Sequence, residues 1–243
     1  MLTFLRRIRN SLLGSGQAQK YLLYAIGDVL LVMVGILLAL QVNNWNERKK
    51  ARELEYITLT ELKKNIEANV AEINKQFENV DTRNQSIKAI LHAFSQQSSF
   101  NDSLIQHFGW AMVYDRLNLH VGAYESFISS GSQVIEDEVL RFEISTYFDA
   151  TLGDLEGYMT EIRDDFYSYM LGYLRNEFKV YSTSDHIGIP KDYERLRQNE
   201  TFKLSLGIFL DVQKDARSSL LRTREKSLEL IKKIDVRMKE IGP

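Results

Sequence analysis

Apolar residues crowd into one stretch of this chain and then fall into a helical rhythm. From Tyr21 to Val42 the sequence reads YLLYAIGDVLLVMVGILLALQV, with Asp28 as its one charge-bearing side chain. At about 1.5 Å rise per residue, a helix of that length covers roughly the 30 Å hydrocarbon core of a bilayer. No glycine or proline occurs between Ile36 and Phe108, so nothing local stops the helix where the apolar run ends. Apolar positions continue at Leu62, Ile66, Val70, Ile73, Phe77 and Val80, then Asn84, Ile87, Leu91 and Phe94. That spacing is a heptad seam apart from one step and the polar Asn84. The pattern predicts one helix running from the apolar segment to about Ser95, its later part about 75 Å long if unbroken.

Shorter helical patterns follow. Asn101-Asp102-Ser103 is a turn and capping cluster ahead of Leu104–Tyr114. Tyr124–Ser130 ends at Gly131, as a helix C-cap would. Asp137–Phe148 carries its acids in the first turn, where the helix dipole favours them. Leu155, Met159, Ile162, Phe166, Met170 and Tyr173 mark a longer helix, residues 181–192 read as a loop, and a final helix spans about Glu200 to Ile241. The expected fold is all-α: one N-terminal transmembrane helix continuing into a long helix, with a C-terminal antiparallel helical bundle. Three segments are expected: a basic amphipathic membrane-surface stretch (1–19), the transmembrane helix (20–45) and a helical extramembrane domain (46–243).

The basic stretch rests on Leu5, Ile8 and Leu12 at helical spacing among Arg6, Arg7 and Arg9, a pattern suited to an anionic lipid surface. Lys20 starts the span, with Tyr21 and Tyr24 at one end and Trp45 at the other as aromatic belts. The apolar run is too long for a signal peptide and lacks a small-residue cleavage site, so it reads as an uncleaved anchor. Arg48, Lys49, Lys50 and Arg52 balance the basic residues on the other flank. The surface stretch then decides the orientation: N-terminus cytoplasmic, C-terminal domain periplasmic, in a bacterial inner membrane.

Asp28, Val32, Gly35, Ala39 and Val42 follow 4-3-4-3 spacing and share one helix face. Gly35 and Ala39 form a small-xxx-small pair that lets a second helix approach closely. A carboxylate at this depth costs about 2.5–3.5 kcal/mol on insertion scales. Three roles are open to Asp28: a hydrogen bond across a helix–helix contact, carriage of protons, or a position close enough to the interface to draw in water.

Composition narrows the function classes. Net charge is −2 over 243 residues, and the positive charge sits at the N-terminus, so the rest is no nucleic-acid binder by charge. There are no cysteines, which removes disulfides, thiolate metal sites and cysteine nucleophiles. His92, His107, His120 and His186 are scattered without ligand spacing. Gly14-Ser-Gly16 ahead of Lys20 lacks the spacing and the preceding strand of a phosphate loop, and no zinc-protease or serine-hydrolase motif occurs. Glu136-Asp137-Glu138 and Asp164-Asp165 read as solvated faces, and Phe108, Trp110 and Tyr114 as core. The expectation is a non-enzymatic protein without a cofactor. Its expected partners are the lipid bilayer and further copies of itself, with a multi-pass membrane protein as an additional candidate.

Lys20-Tyr-Leu-Leu-Tyr-Ala-Ile-Gly-Asp28, the run Gly35 to Glu47 ending Gln41-Val-Asn43-Asn44-Trp45-Asn46-Glu47, the basic Phe4–Arg9 and the later Ala123-Tyr-Glu-Ser-Phe-Ile-Ser-Ser-Gly131 together resemble a family of small single-pass inner-membrane proteins of the Bacteroidota, a domain of unknown function. The likeness is close over the N-terminal fifth and loose beyond it. It implies an anchor, a helical domain and a carboxylate at position 28, and no activity. Asp28-Val-Leu-Leu-Val-Met-Val is also similar, by pattern alone, to the membrane helix of the small subunit of proton-driven stator complexes. That likeness implies Asp28 as a proton carrier beside a multi-pass partner. Such subunits usually carry a peptidoglycan-binding or small α/β domain, whereas this chain reads as all-helical.

Overall fold

A computed structural model describes residues 17–242. The expected surface stretch, with Arg6, Arg7 and Arg9, lies outside the described residues, as does the side chain of Tyr21. The chain divides into two compact units, one ending at Leu54 and one beginning at Glu55.

Helix α1, Gln17–Ser95, contributes to both. In the first unit every side chain from Tyr24 to Leu54 is exposed. An 18-residue window of this helix has a mean hydropathy of 2.4 and is 0% buried. One helix of the protein is therefore long and apolar enough to cross a membrane.

In the second unit α1 buries one stripe: Glu55, Leu59, Leu62, Ile66, Asn69, Ile73, Gln76, Val80, Arg83, Ile87, Ile90 and Phe94. The spacing alternates 4 and 3 without a break, the signature of a helix keeping one seam against its neighbours. Against it pack α2 (Asp102–Ala111), α3 (Gly122–Ser129) and a helical rod from Glu138 to Glu177. The rod consists of α4 (Glu138–Ser145), α5 (Leu152–Asp165) and α6 (Leu171–Glu177), joined by π turns at Thr146–Thr151 and Phe166–Met170. After a two-stranded hairpin come α7 (Tyr193–Gln198) and the long α8 (Glu200–Ile241). The all-α architecture follows the expectation, with α8 at its predicted ends and α1 closing at Ser95 as predicted but beginning three residues earlier, at Gln17.

Helix α8 runs antiparallel to α1. Lys63 pairs with Asp235 at 2.5 Å and Arg217 with Asp81 at 2.5 Å. The core has two clusters. One joins Leu59, Leu62 and Ile66 to Tyr124, Phe148, Leu230 and Ile234. The other joins Ile73–Phe94 to Phe108, Ile162, Phe202 and Phe209. Asn101, Asp137 and Asn199 cap α2, α4 and α8 by accepting from backbone N–H groups, a contribution of about 1 kcal/mol each.

Two local features differ from the sequence reading. The rod is continuous where two separate helices were expected, because each π turn inserts one extra residue and rotates the apolar stripe, disguising the continuity as a phase break. The segment read as a loop holds most of an antiparallel hairpin, β1 (Phe178–Ser182) with β2 (Ile187–Pro190). Strands of five and four residues are too short to declare a period of two, and such a ribbon depends on a neighbour for stability. That neighbour is α2: a Cβ on Gly109 would stand 2.0 Å from the carbonyl carbon of His186, and one on Gly188 would stand 2.7 Å from Cβ of Phe108. The two glycines let helix and hairpin touch at their backbones.

Candidate functional site

The residues singled out in the membrane-type segment all lie on exposed helix. Asp28, Val32, Gly35, Ala39 and Val42 fall on one stripe of α1, and a Cβ added at Gly35 would meet nothing within 4 Å. Lys20 and Trp45 are exposed near the two ends of the apolar run. Among the described residues, then, nothing covers the stripe, and it is sterically open.

The second unit holds an arrangement the sequence reading did not anticipate. Three consecutive members of one seam register, Asn69, Gln76 and Arg83, are polar and buried, and Glu55 lies two heptads further back. Buried polar groups need partners, and the non-helical segment from Val113 to His120 supplies most of them. The Nδ2 of Asn69 donates to the carbonyl of His120 at 3.1 Å, while its Oδ1 accepts from the N–H of the same residue at 2.6 Å. Gln76 donates to the carbonyl of Arg116 at 2.8 Å. Glu72 accepts from the N–H of Asn118, and Asn65 from that of Ala123 at 3.0 Å. From Asn69 to Gln76 the helix rises ~10 Å, and an extended chain from Arg116 to His120 spans ~13 Å. The segment is a strap laid along the helix, its main chain held by side-chain rungs.

Arg83 closes the ladder at one end. It is 1% exposed, donating to Asp115 Oδ2 at 2.6 Å and to Gln213 Oε1 at 2.8 Å. Burial lowers its proton affinity, and the Asp115 carboxylate opposes that shift. Its Nε, Gln213 Nε2, Gln76 Oε1 and Asn84 Oδ1 are buried without a protein partner; such groups normally bind internal water. Tyr181 stands beside this centre and donates to the carbonyls of Gly109 and Met112. Burial is the main cause that drives its phenol well above the ordinary range. At the other end Glu55 accepts from the N–H of Glu136 and from Arg237 Nε at 2.9 Å.

The histidines do not converge. His186 stacks on Trp110 at 3.5 Å, His107 meets Ser86 at 3.2 Å, and His120 joins the strap through its backbone. Among the described residues no group of three or more metal-ligating side chains is placed to hold an ion. A surface hollow of about 250 Å³ beside the first π turn is lined by Tyr147, Thr151, Lys226 and Leu230, with Lys226 3.4 Å from the Thr151 hydroxyl. The described residues thus offer an open helix face in one unit and a ladder bonded to backbone in the other.

The signal that betrays the ladder is its spacing. Positions 55, 62, 69, 76, 83 and 90 are seven apart, inside the stretch from Ile36 to Phe108 that has no glycine or proline. Polar residues at such positions mark either a break in the seam or a polar partner laid against it.

A family model described as a family of unknown function (DUF6090) matches residues 28–155. That is more than half of the chain, and the protein belongs to this family. The matched span starts at Asp28 and takes in the ladder and the strap. No curated protein and no solved structure matches the chain.

Proposed function

We propose that this protein is a non-enzymatic, single-pass membrane-anchored scaffold that self-associates through its membrane helix and presents its helical domain to partners. It sits in a bacterial inner membrane with its N-terminus in the cytoplasm, Arg6, Arg7, Arg9 and Lys20 on the lipid surface, and Trp45 at the opposite interface. The observation that carries the reading is the apolar window of α1, 0% buried, within the helix whose later turns build the core of the second unit. An uncovered apolar helix needs lipid or another helix around it.

The stripe of Asp28, Gly35 and Ala39 supports self-association. Interhelical hydrogen bonds in membranes contribute about 0.6–2 kcal/mol, and small residues permit the close approach they require. A protonated or hydrogen-bonded Asp28 on such a contact offsets part of its insertion cost. The test is the mass and composition of the complex after gentle detergent extraction. The expected result is a defined homo-oligomer that Gly35→Leu weakens; an oligomer indifferent to that change removes this face from the reading. Stoichiometric recovery of a multi-pass protein, with function abolished by Asp28→Asn, would instead favour a proton-coupled, stator-like subunit with Asp28 as the carrier.

A further inference from the structure

We infer that one face of α1 binds an anionic phospholipid, with Arg48 and Arg52 holding its phosphate. Val34, Leu38, Gln41, Trp45, Arg48 and Arg52 follow 4-3-4-3-4 spacing, so they share one stripe of the helix, and every one of them is exposed. This stripe lies roughly a third of a turn round the helix from Asp28, Gly35 and Ala39. Lipid on one stripe and a second helix on the other therefore do not compete.

The order of side chains along the stripe matches the order of groups along a phospholipid. Val34 and Leu38 are apolar, as acyl chains require. Gln41, next to the end of the apolar run, presents a carboxamide that both donates and accepts, suited to ester carbonyls. Trp45 sets an indole at the interface, with an N–H to donate. Arg48 and Arg52 bring two guanidinium groups, each able to grip a phosphate with two parallel hydrogen bonds. Arg48 lies ~9 Å beyond Val42, where the apolar run ends, and the headgroup layer of one leaflet is about 5–8 Å thick. Side chains on a helix lean toward its N-terminus, here toward the bilayer. Both arginines thus reach back over the headgroups, their apolar stems laid along the helix.

Charge supports the same occupant. Lys50 has a carboxylate, Glu47, at 3.3 Å, whereas among the described residues Arg48 and Arg52 pair with none. Like charges one turn apart weaken a helix, and an anion between them removes that cost. A lipid phosphate fits better than a free one because the stripe runs on into apolar side chains. The site rests on the anchoring proposed above.

Trp45 is a built-in reporter. The full chain is reconstituted in mixed phosphatidylcholine–phosphatidylglycerol vesicles in which one lipid or the other carries bromine near the headgroup end of its acyl chains. Bromine quenches indole fluorescence on contact. The Trp45 signal is the difference between the full chain and Trp45→Phe, both of which keep Trp110. A basic side chain at an anionic headgroup is worth a factor of about five, so phosphatidylglycerol should be preferred beside Trp45 by about fivefold or more. Arg48→Gln with Arg52→Gln should bring the preference close to parity. Lys49→Gln with Lys50→Gln removes the same charge from other faces of the helix and should leave most of it. Equal quenching by the two lipids overturns the site and leaves the anchor standing, as does a preference that both double variants lower alike. No quenching by either lipid removes the membrane reading itself, and the site with it.

Discussion

Cutting the Arg83–Asp115 pair from its two ends must cost different amounts. The Arg83 head group is 1% exposed and the Asp115 side chain 28% exposed. In Asp115→Ala the guanidinium stays buried with only Gln213 to meet it, and an uncompensated buried charge costs about 3–5 kcal/mol. In Arg83→Met the apolar stem is kept and the charge is gone. Two charge-assisted hydrogen bonds, about 1.5–3 kcal/mol each, are lost. Against this stands the guanidinium desolvation penalty of several kcal/mol, which disappears. Asp115 regains water. The residual loss is the orphaned Gln213 Oε1, in a residue that is 0% exposed, at about 1–3 kcal/mol. Arg83→Met should therefore cost about 2 kcal/mol, and Arg83→Met with Gln213→Leu should return close to the parent.

The assay is urea unfolding of the full chain in detergent, with Trp45→Phe as background so that Trp110 alone reports on the second unit. With a slope of about 1–3 kcal/mol per molar, 2 kcal/mol moves the midpoint by roughly 1 M. The order Asp115→Ala below Arg83→Met below the double variant is the expected outcome. If Arg83→Met proves the costliest of the three, or Gln213→Leu fails to rescue it, the ladder centre is not held by the balance described.

Two further outcomes follow from the packing around Gly109 and Tyr181. Gly109→Ala drives a methyl into the backbone of His186; it should cost about 3 kcal/mol or more and change Trp110 fluorescence, whereas Gly172→Ala, with nothing within 4 Å, should stabilise α6 by up to about 1 kcal/mol. Tyr181 is held protonated in the fold, its pKa raised above the ordinary 10.0, so its contribution is complete below about pH 10. Above that the unfolded chain ionises first and stability falls with rising pH. Tyr181→Phe should flatten this alkaline decline in pH-dependent unfolding, and an unchanged decline would exclude Tyr181 as its source.

What could be read in the chain and what could not have separate physical causes. The long helices were legible because their apolar spacing extends over many turns, and the start of α2 because Asn101 satisfies backbone groups locally. The seam was half legible. Reading hydrophobicity as burial selects Val70, Phe77 and Leu91, while the structure buries Asn69, Gln76 and Ile90 beside them. The rule fails where a buried polar residue is satisfied by a segment with no periodicity of its own, and the strap is such a segment. The π turns hid for the opposite reason, because an inserted residue breaks a phase that remains physically continuous. For the Asp28 stripe the chain specifies a face and not what lies against it, since lipid and a second helix ask for much the same side chains.

The seam of α1 carries two registers with different work. Leu59, Ile66, Ile73, Val80, Ile87 and Phe94 form one, wholly apolar, and hold the bundle by burial. Asn69, Gln76 and Arg83 belong to the other, where each polar side chain forgoes part of that gain. Their return is positional: Asn69 and Gln76 bond the strap only through its main chain, Gln76 also donating to Glu72 on its own helix, so they accept an extended segment whatever its side chains. Arg83 with Asp115 fixes where it starts, and Glu55 on the N–H of Glu136 anchors the chain beyond its far end. Among the described residues, the ladder reads Arg116, Asn118 and His120 through their backbone groups alone, and their exposed side chains take no part in it.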